Sequence, residues 1–453
     1  MQSILMDGFT PKCIRALGSC LIGMGLQIKD PQPLKCALFT WRGKRKAVSL
    51  CSWLFLHIES GGFMALLEQL KTDRQTLHQI PELEFELPKT HAYIKKRLET
   101  MGYETQTVAK SGVVAKKAGV SDQAIAFRAD MDALDVEEMT ASSFKSQTQG
   151  RMHACGHDGH MSMLLGLAQL LADAPTPKKT IVFIFQPAEE GPGGAREIVK
   201  EGVLNTYHVE AIYGIHLYPS LKAGAIGMRA GAMMAQNGEF DVHVHGKSAH
   251  GAAPHDGHDA INAMVSIYGS FQDLTNKMID PLVPSLLAIG KMGGGEMRNI
   301  LAKHAYFEGT IRTFSEATYA NIKKHMHRIA AHTAESYGVK AELAIRDFYP
   351  PVINDAALVN QAFDALASMD TRTIEPMMLA EDFAFYQQAI PGLFMMLGVR
   401  NEKTGHTHPL HSGHFNFDEK VLINGVRAYA HILAHNDIID LFKSTDELQS
   451  ESR

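Results

Sequence analysis

Residues 180–186 read Thr-Ile-Val-Phe-Ile-Phe-Gln and are followed at once by Pro187. A continuous apolar run of this length, ended by a proline that cannot extend a ladder, is typical of a strand buried on both faces. Helical spacing precedes this run at 159–173 and follows it at 194–201, and a second apolar run lies at 211–215. Buried strands that alternate with helices predict an α/β layer with much parallel pairing.

The alternation continues on both sides of this unit. Helical spacing occurs at 64–79 and 89–101, and β-rich runs occur at 113–118 and 123–128. At 239–246 apolar and polar residues alternate strictly, which predicts a strand with one solvated face. Helices at about 259–278 and 316–337 and strands near 285–291, 304–313 and 340–346 complete a block of α+β character. Patterns of the first kind resume at 355–368, 381–389, 393–398 and 418–436.

The predicted fold class is therefore α/β, with one discontinuous domain interrupted by a smaller one. The main domain, with a mixed and largely parallel sheet, is assigned to residues 64–236 and 347–440. The inserted α+β lid is assigned to 237–346. Residues 1–63 are expected to be a poorly ordered N-terminal extension, and 441–453 a C-terminal tail.

Composition excludes several classes of protein. With 453 residues, 45% of them hydrophobic and 21% charged, the chain is neither disordered nor fibrous. A net charge of −5 gives no reason to expect binding to nucleic acid or to a membrane surface. Four of the five cysteines precede residue 64, so Cys155 stands alone in the main body, which argues against a disulfide scaffold and for a cytoplasmic location. The apolar stretch 47–58 resembles a signal-peptide core, but it lies far from the start and lacks a cleavage site, so a signal or anchor is the weaker alternative.

The densest group of chemically active side chains lies at 152–160, Met-His-Ala-Cys-Gly-His-Asp-Gly-His. Cys155 and His157 can reach one small volume at the start of a helix, where the dipole favours a thiolate and Asp158 is predicted as the N-cap. The alternatives are a buried cysteine beside surface histidines, or a structural zinc knuckle. A knuckle needs four closing ligands, and no second cysteine is nearby to help supply them. The group therefore favours an open, catalytic metal site.

Further candidates follow strands elsewhere in the chain. Glu189 and Glu190 emerge after the strand 180–186, where one carboxylate could bind metal and the other act as a base; an ordinary acidic loop is the alternative. His216 follows the run 211–215, although a lone histidine there is more often a satisfied core residue. The remaining candidates are Asp130 and Asp132 after the strand 123–128, and the histidine-rich segment 406–414 before the last helix. Because ligands in open α/β sheets bind beyond the carboxyl ends of the strands, these side chains are expected to converge on a site for two ions.

The chain resembles a known family over about residues 70–435. The strings that carry the resemblance are RADMDAL (128–134), MHACGHDGHMSMLLG (152–166), FQPAEEGPGGA (185–195), GIHLYP (214–219), HGKSAHGAAPH (245–255), EDFAFY (381–386) and HSGHF (411–415). They look like the hippurate hydrolase and auxin-conjugate amidohydrolase branch of the aminoacylase and carboxypeptidase metallopeptidase family. The resemblance implies a catalytic domain with a lid that often forms a homodimer, and cleavage of the amide in small N-acyl amino acids by two divalent ions, Mn²⁺ or Zn²⁺.

Position by position, the resemblance assigns roles to ten residues. The metal ligands would be Cys155, His157, Glu190, His216 and His411; the catalytic residues Glu189 as general base, His250 at the oxyanion and Asp132 as a support; and the substrate-binding residues Asn299 and Arg312. If the family resemblance is set aside, the sequence predicts only an exposed loop histidine at position 250, and a surface salt bridge is an alternative role for Arg312. Two competing functions stay open, a metallo-exopeptidase or dipeptidase using the same site and a non-catalytic metal-binding protein. The adjacent glutamates argue against the latter, because metal storage needs no base.

Overall fold

The computed structural model describes residues 62–439. The predicted extension 1–63, apart from its last two residues, and the predicted tail 441–453 lie outside that range. The helices of the described chain are α1 (Gly62–His78), α2 (Pro88–Thr100), α3 (His157–Ala172), α4 (Gly194–Lys200), α5 (Val203–Thr206), α6 (Ala260–Lys277), α7 (Glu316–Tyr337), α8 (Ala356–Ala365), α9 (Ala384–Ala389) and α10 (Leu422–His435).

Its strands alternate with these helices. They are β1 (Thr105–Val108), β2 (Gly112–Lys117), β3 (Ser121–Asp130), β4 (Lys179–Gln186), β5 (Val209–Lys222), β6 (Ile226–Met228), β7 (Gly231–Met234), β8 (Gln236–His245), β9 (Ser285–Gly294), β10 (His304–Thr313), β11 (Lys340–Asp347), β12 (Val352–Asn354), β13 (Thr371–Thr373) and β14 (Gly392–Arg400). None of the helices within 62–439 combines the length and apolarity needed to cross a membrane.

The main sheet contains eight strands in the order β1-β2-β4-β3-β5-β14-β6-β13. The central run β4-β3-β5-β14 is parallel throughout, and β13 is parallel to β6. Antiparallel pairs join β1 to β2, β2 to β4 and β14 to β6. The predicted α/β class with a mixed, largely parallel sheet is therefore confirmed.

Both faces of the main sheet are covered, as the apolar run in β4 predicts. Phe183 and Phe185 belong to the core on the side of α1, α3 and α10, whereas Val182 and Ile184 belong to the core on the side of α4 and α9. Successive side chains of a strand point to opposite faces, so a strand that is apolar at every position needs a layer on each side. Helix α3 is itself buried over most of its length, between α1, α10 and the sheet.

A second sheet lies between β7 and β12 in the chain. Its strands run β11-β8-β10-β9, all antiparallel, and helices α6 and α7 pack on one face. Phe240, Val242 and Val244 are buried beneath these helices, while the alternate residues of β8 lie on the open face. We call residues 236–347 the insert.

Two local predictions are wrong. His216 lies inside β5, which runs to Lys222 instead of ending at 215, because β14 continues to pair with it beyond the ends of β3 and β4. Gly214 is level with Arg128 of β3, so His216 is level with Asp130, the last residue of that strand. The N-cap of α3 is Gly156, and Asp158 instead accepts hydrogen bonds from Arg74 at 3.0 Å and pairs with His78 at 2.8 Å.

Candidate metal centre and active site

A left-handed glycine places the first two candidate ligands. Gly156 has φ of +87°, and a Cβ atom built there would lie 2.9 Å from Cδ1 of Leu217. An L side chain would therefore meet both backbone strain and a steric clash at this position. The turn lets Cys155 end one loop and His157 begin α3, with both side chains buried at the same edge of the main sheet.

Five predicted ligands come together at this edge. Ligand atoms of Cys155, His157 and Glu190 all lie within 4.8 Å of one another. Sγ of Cys155 is 3.4 Å from Nε2 of His216, and Oε1 of Glu190 is 3.1 Å from Nε2 of His411. These are donors of the types that bind transition-metal ions. We call these five residues the ligand cluster.

Backbone contacts decide which nitrogen of His216 is free. Its Nδ1 lies 2.7 Å from the carbonyl oxygen of Leu217 and must donate to it, which leaves a lone pair on Nε2 toward Cys155. His160 is close by but is fully engaged, because Nδ1 pairs with Asp130 at 2.6 Å and Nε2 accepts the Leu217 N–H at 2.9 Å. His160 thus orients the cluster, whereas His216 can bind to a metal.

The loop after β4 presents the two glutamates in different directions. Ala188 has φ of +58°, which turns the chain sharply behind Pro187. Asp132 accepts the N–H groups of Glu189 at 2.9 Å and Glu190 at 3.0 Å, and its Oδ1 lies 3.6 Å from Nδ1 of His157. The predicted supporting aspartate therefore holds the loop and faces a ring of the ligand cluster.

Behind Glu189 lies a buried acidic group whose role the sequence alone does not reveal. Carboxylate oxygens of Glu189, Glu381 and Asp382 lie within 4.8 Å of one another. Arg128 donates to Asp382 at 2.9 Å and to Asp130 at 2.8 Å, and lies 3.0 Å from Glu381. Two features of the sequence pointed to this group: Arg128, a charged residue in an otherwise apolar strand, and the acidic pair Glu381 and Asp382. Their contact could not be predicted, because Arg128 and Asp382 are 254 residues apart in the chain.

The charge balance and the unpaired atoms of this region fit a bound cation. Among the described residues, Arg128 is the only arginine or lysine within ion-pair distance of the surrounding carboxylates, which come from Asp130, Asp132, Glu189, Glu190, Glu381 and Asp382. Both ring nitrogens of His157 are buried without a hydrogen-bond partner, and the contact of Glu190 Oε1 at this edge is with Nε2 of His411. Buried imidazole nitrogens are rarely left in this state, and a divalent ion bound at Nε2, with Nδ1 facing Asp132, would satisfy the ring.

The titration of these groups reflects the same excess of negative charge. Burial alone would lower the pKa of His157, but the carboxylates of Asp130 and Asp132 raise it to about 10. Burial and the carboxylate of Glu190 hold the pKa of the Cys155 thiol well above its ordinary value. Burial, with the carboxylates of Glu381 and Glu190, does the same for the pKa of Glu189. Protons are retained where positive charge is scarce, and a cation would displace them.

The ligand cluster opens into a cavity of about 440 Å³. Its apolar wall is formed by Tyr218, Met234, Leu379, Met396 and Leu410. Arg312 also lines it, half-buried, with Nη1 donating to the carbonyl oxygen of Met378 at 2.9 Å. No carboxylate of the described chain lies within ion-pair distance of Arg312, so its guanidinium retains donors for a ligand in the cavity.

Two predicted residues are not brought to this cluster. His250 is exposed on the insert, and its ring accepts a hydrogen bond from the N–H of Ala252 at 3.1 Å. Asn299 is also exposed, and its carbonyl oxygen accepts the N–H of Gly251 at 2.8 Å. Neither residue lines the cavity. Conversely, Asn237 and Tyr349 line it without any sequence signal that marked them.

Removing the buried guanidinium should destabilise the fold. Arg128→Met would leave three carboxyl groups buried without their counter-charge, so we expect the free energy of unfolding to fall by about 3–5 kcal/mol. Urea denaturation followed by circular dichroism measures this change. Arg372→Met is the matched control, because exposed Arg372 pairs only with Asp370 at the surface and should leave the midpoint unchanged. Equal midpoints for wild type and Arg128→Met would contradict the assigned role.

A group of potential metal ligands at the carboxyl edge of a largely parallel sheet, beside a further glutamate and a cavity, is typical of metal-dependent α/β hydrolases. The model of peptidase family M20/M25/M40 matches residues 126–435, and the chain belongs to this family of hydrolases. An uncharacterized hydrolase of Staphylococcus haemolyticus is 36% identical over 379 residues, which cover 82% of this chain and 99% of that protein.

Solved structures agree with this assignment. A Bacillus subtilis protein described as a dinuclear metal binding peptidase of family M20 is 35% identical, with a TM-score of 0.73 over 83% of this chain and 99% of its own. A structure from methicillin resistant Staphylococcus aureus is 31% identical, with a TM-score of 0.78 over 85% of this chain and 99% of its own.

Proposed function

We propose that this hydrolase cleaves the amide bond of N-acyl amino acids, hippurate-like conjugates included, with two divalent metal ions. The observation that carries the proposal is one cavity lined by four residues of the ligand cluster, by the neighbouring Glu189 and by Arg312, which has no carboxylate partner in the described chain. The first two provide for hydrolysis, and the third fits a substrate with a free carboxylate. The Bacillus subtilis relative described as a dinuclear peptidase supports the number of ions.

The ligand cluster, Cys155, His157, Glu190, His216 and His411, would hold the ions. Thiolate and imidazole ligands suit Zn²⁺, and carboxylate and imidazole also suit Mn²⁺, so we propose one of these two metals. When bound, the ions polarise the amide carbonyl and lower the pKa of water so that it can be deprotonated near neutral pH. Asp132 would hold His157 and the loop that carries Glu189 and Glu190 in fixed positions relative to each other.

Glu189 would carry the proton during hydrolysis. Its carboxylate lies beside the ligand cluster, with Oε2 3.9 Å from Nε2 of His157, but it is outside the group formed by Cys155, His157 and Glu190. It would accept a proton from the attacking water and pass it to the nitrogen of the leaving amine, so that the amide and water become a carboxylic acid and an amine. The surrounding wall would restrict access of bulk water to this transfer.

The lining of the cavity offers a contact for each end of an N-acyl amino acid. The apolar wall would pack against the acyl group, and Arg312 would bind the α-carboxylate through its planar donors. An aminopeptidase would instead need to bind the ammonium group of a free amino terminus. His250 at the oxyanion, Asn299 at the substrate and a homodimer formed through the insert stay predictions, since neither side chain contacts the cavity within one chain.

A substrate panel tests the proposal against the peptidase alternative. Purified full-length protein loaded with Mn²⁺ or Zn²⁺ would be assayed on N-acyl amino acids and on the dipeptides of the same residues. We expect turnover of the acylated substrates and at least about tenfold lower kcat/KM for the dipeptides, a difference of about 1.4 kcal/mol in transition-state binding. Faster cleavage of the dipeptides would favour an exopeptidase, and absence of all turnover would favour a metal-binding protein without catalysis.

The effect of Arg312→Gln on KM should depend on whether the substrate carries a free carboxylate. For N-acyl amino acids we expect KM to rise about 100-fold, because a bidentate charge-assisted contact is lost. The corresponding N-acyl amino acid amides, which lack the carboxylate, should show nearly equal KM in the variant and the wild type. Steady-state kinetics on both series measures the difference. Equal losses on both series would mean that Arg312 shapes the cavity and does not bind the carboxylate.

A further inference from the structure

The chain enters and leaves the insert at adjacent points. The N–H of Phe348 donates to the carbonyl oxygen of Asn237 at 3.1 Å, and the N–H of Asn237 donates to the carbonyl oxygen of Tyr349 at 3.1 Å. The side chain of Asn237 adds a third bond, as Oδ1 accepts the N–H of Tyr349 at 3.0 Å. The two chain segments that connect the insert to the rest of the protein are thus joined by three hydrogen bonds next to the cavity.

From this junction the Tyr349 side chain reaches the loop that carries the glutamates. Its hydroxyl donates to the carbonyl oxygen of Glu189 at 2.5 Å and lies 2.7 Å from that of Gly191. The ring is 8% exposed and packs so closely that a Cβ atom on Gly193 would lie 3.2 Å from it. Gly193 has φ of +86°, and this left-handed turn without a side chain leaves space for the ring beside the loop.

The glutamate loop is therefore held from two sides. Asp132, at the end of the main sheet, accepts its N–H groups, whereas Tyr349, at the base of the insert, binds its carbonyl groups. Each contact alone leaves the peptide free to rotate, but the two together fix the plane that sets the direction of the Glu189 side chain. Tyr349 is the only one of these anchors that belongs to the connection with the insert.

We propose that Tyr349 is a positioning residue that sets the orientation of Glu189 and couples it to the base of the insert, with Asn237 holding Tyr349 in place. The inference deepens the proposed function, since it rests on Glu189 as the base. It does not depend on the identity of the substrate. Because a displacement of about 1 Å can cost about 100-fold in rate, loss of a single hydroxyl here should affect turnover more than binding.

Tyr349→Phe tests the proposal, with Tyr103→Phe as the matched control. Tyr103 is also a buried phenol that donates to a carbonyl oxygen, that of Ala168 at 2.7 Å, but it lies away from the cavity. In the metal-loaded protein we expect Tyr349→Phe to lower kcat about 10-fold to 100-fold with KM and metal content within about twofold of wild type. Tyr103→Phe should keep kcat, although both variants lose one buried hydroxyl donor, which Tyr349 shares between two carbonyl oxygens and Tyr103 gives to one. Both variants should melt at similar temperatures.

Hydrogen exchange gives a second readout that needs no substrate. Deuterium uptake of the peptide 187–194 should rise in Tyr349→Phe, because the amides held by Asp132 open more often, and should stay at the wild-type level in Tyr103→Phe. Unchanged kcat in Tyr349→Phe, or unchanged uptake in this peptide, would overturn the proposal. If wild type hydrolyses no N-acyl amino acid, the proposed function fails while the exchange result still decides the role of Tyr349.

Discussion

Glu189→Gln should lower kcat by about 10³-fold while the protein keeps its metal, because the amide has nearly the shape of the carboxylate but cannot accept the proton from water. Glu189 lies outside the group formed by Cys155, His157 and Glu190, so its substitution leaves those ligands in place. Steady-state kinetics on an N-acyl amino acid measures the rate, and elemental analysis of the purified protein measures the metal.

Glu190→Gln is the matched variant for this experiment. It makes the same chemical change one residue further along, on a side chain within 3.1 Å of His411 and within 4.8 Å of Cys155 and His157. We expect it to lose metal and activity together, whereas Glu189→Gln loses only activity. If Glu189→Gln kept more than a tenth of the wild-type kcat, another group would have to be the base.

Cys155→Ala should lower the content of bound metal. Sγ of Cys155 lies 3.4 Å from Nε2 of His216 and within 4.8 Å of ligand atoms of His157 and Glu190, so it contacts or neighbours three other members of the ligand cluster. Loss of one thiolate ligand should release at least one of the two proposed ions, with a loss of kcat of about 10³-fold or more, since metal-supported catalysis depends on it. Elemental analysis after dialysis, followed by kinetics with added Mn²⁺ or Zn²⁺, measures both effects.

His408→Ala serves as the control for metal loss. It removes a metal-binding type of side chain from the same segment as His411, but His408 is exposed and stacks on His414 at 5.1 Å between ring centroids. We expect its metal content and kcat to match those of the wild type. Full metal retention in Cys155→Ala would show that the thiol is not a ligand and would leave the histidines and Glu190 to bind the ions.

The sequence predicted most helices and strands of the described chain because their signals are local. The apolar run of β4, the alternation in β8 and the helical spacing of α7 each depend on side chains a few residues apart. Short strands such as β6, β12 and β13 were missed, since three residues offer no measurable period. Their positions are set by the partner strands beside them.

The convergence of Cys155, His157, Glu189 and Glu190 could also be inferred, because each follows a strand or begins a helix at one edge of a parallel sheet. His216 was expected past the end of its strand, but it reaches that edge from inside β5 because β14 prolongs the pairing. The contacts of Arg128 with Glu381 and Asp382 join parts of the chain too far apart for any local pattern to reveal.

The order of residues by itself determined the periodicity of the longer elements, the end of β4 at Pro187 and the kinds of ligand available there. Tertiary structure alone decided that His250 and Asn299 stand away from the cavity, that Arg312 lines it without a carboxylate partner in the described chain, and that Tyr349 binds the loop of Glu189. The physical reason is range: hydrophobic spacing acts over a few residues, whereas side-chain contacts depend on which distant strands become neighbours when the sheets assemble.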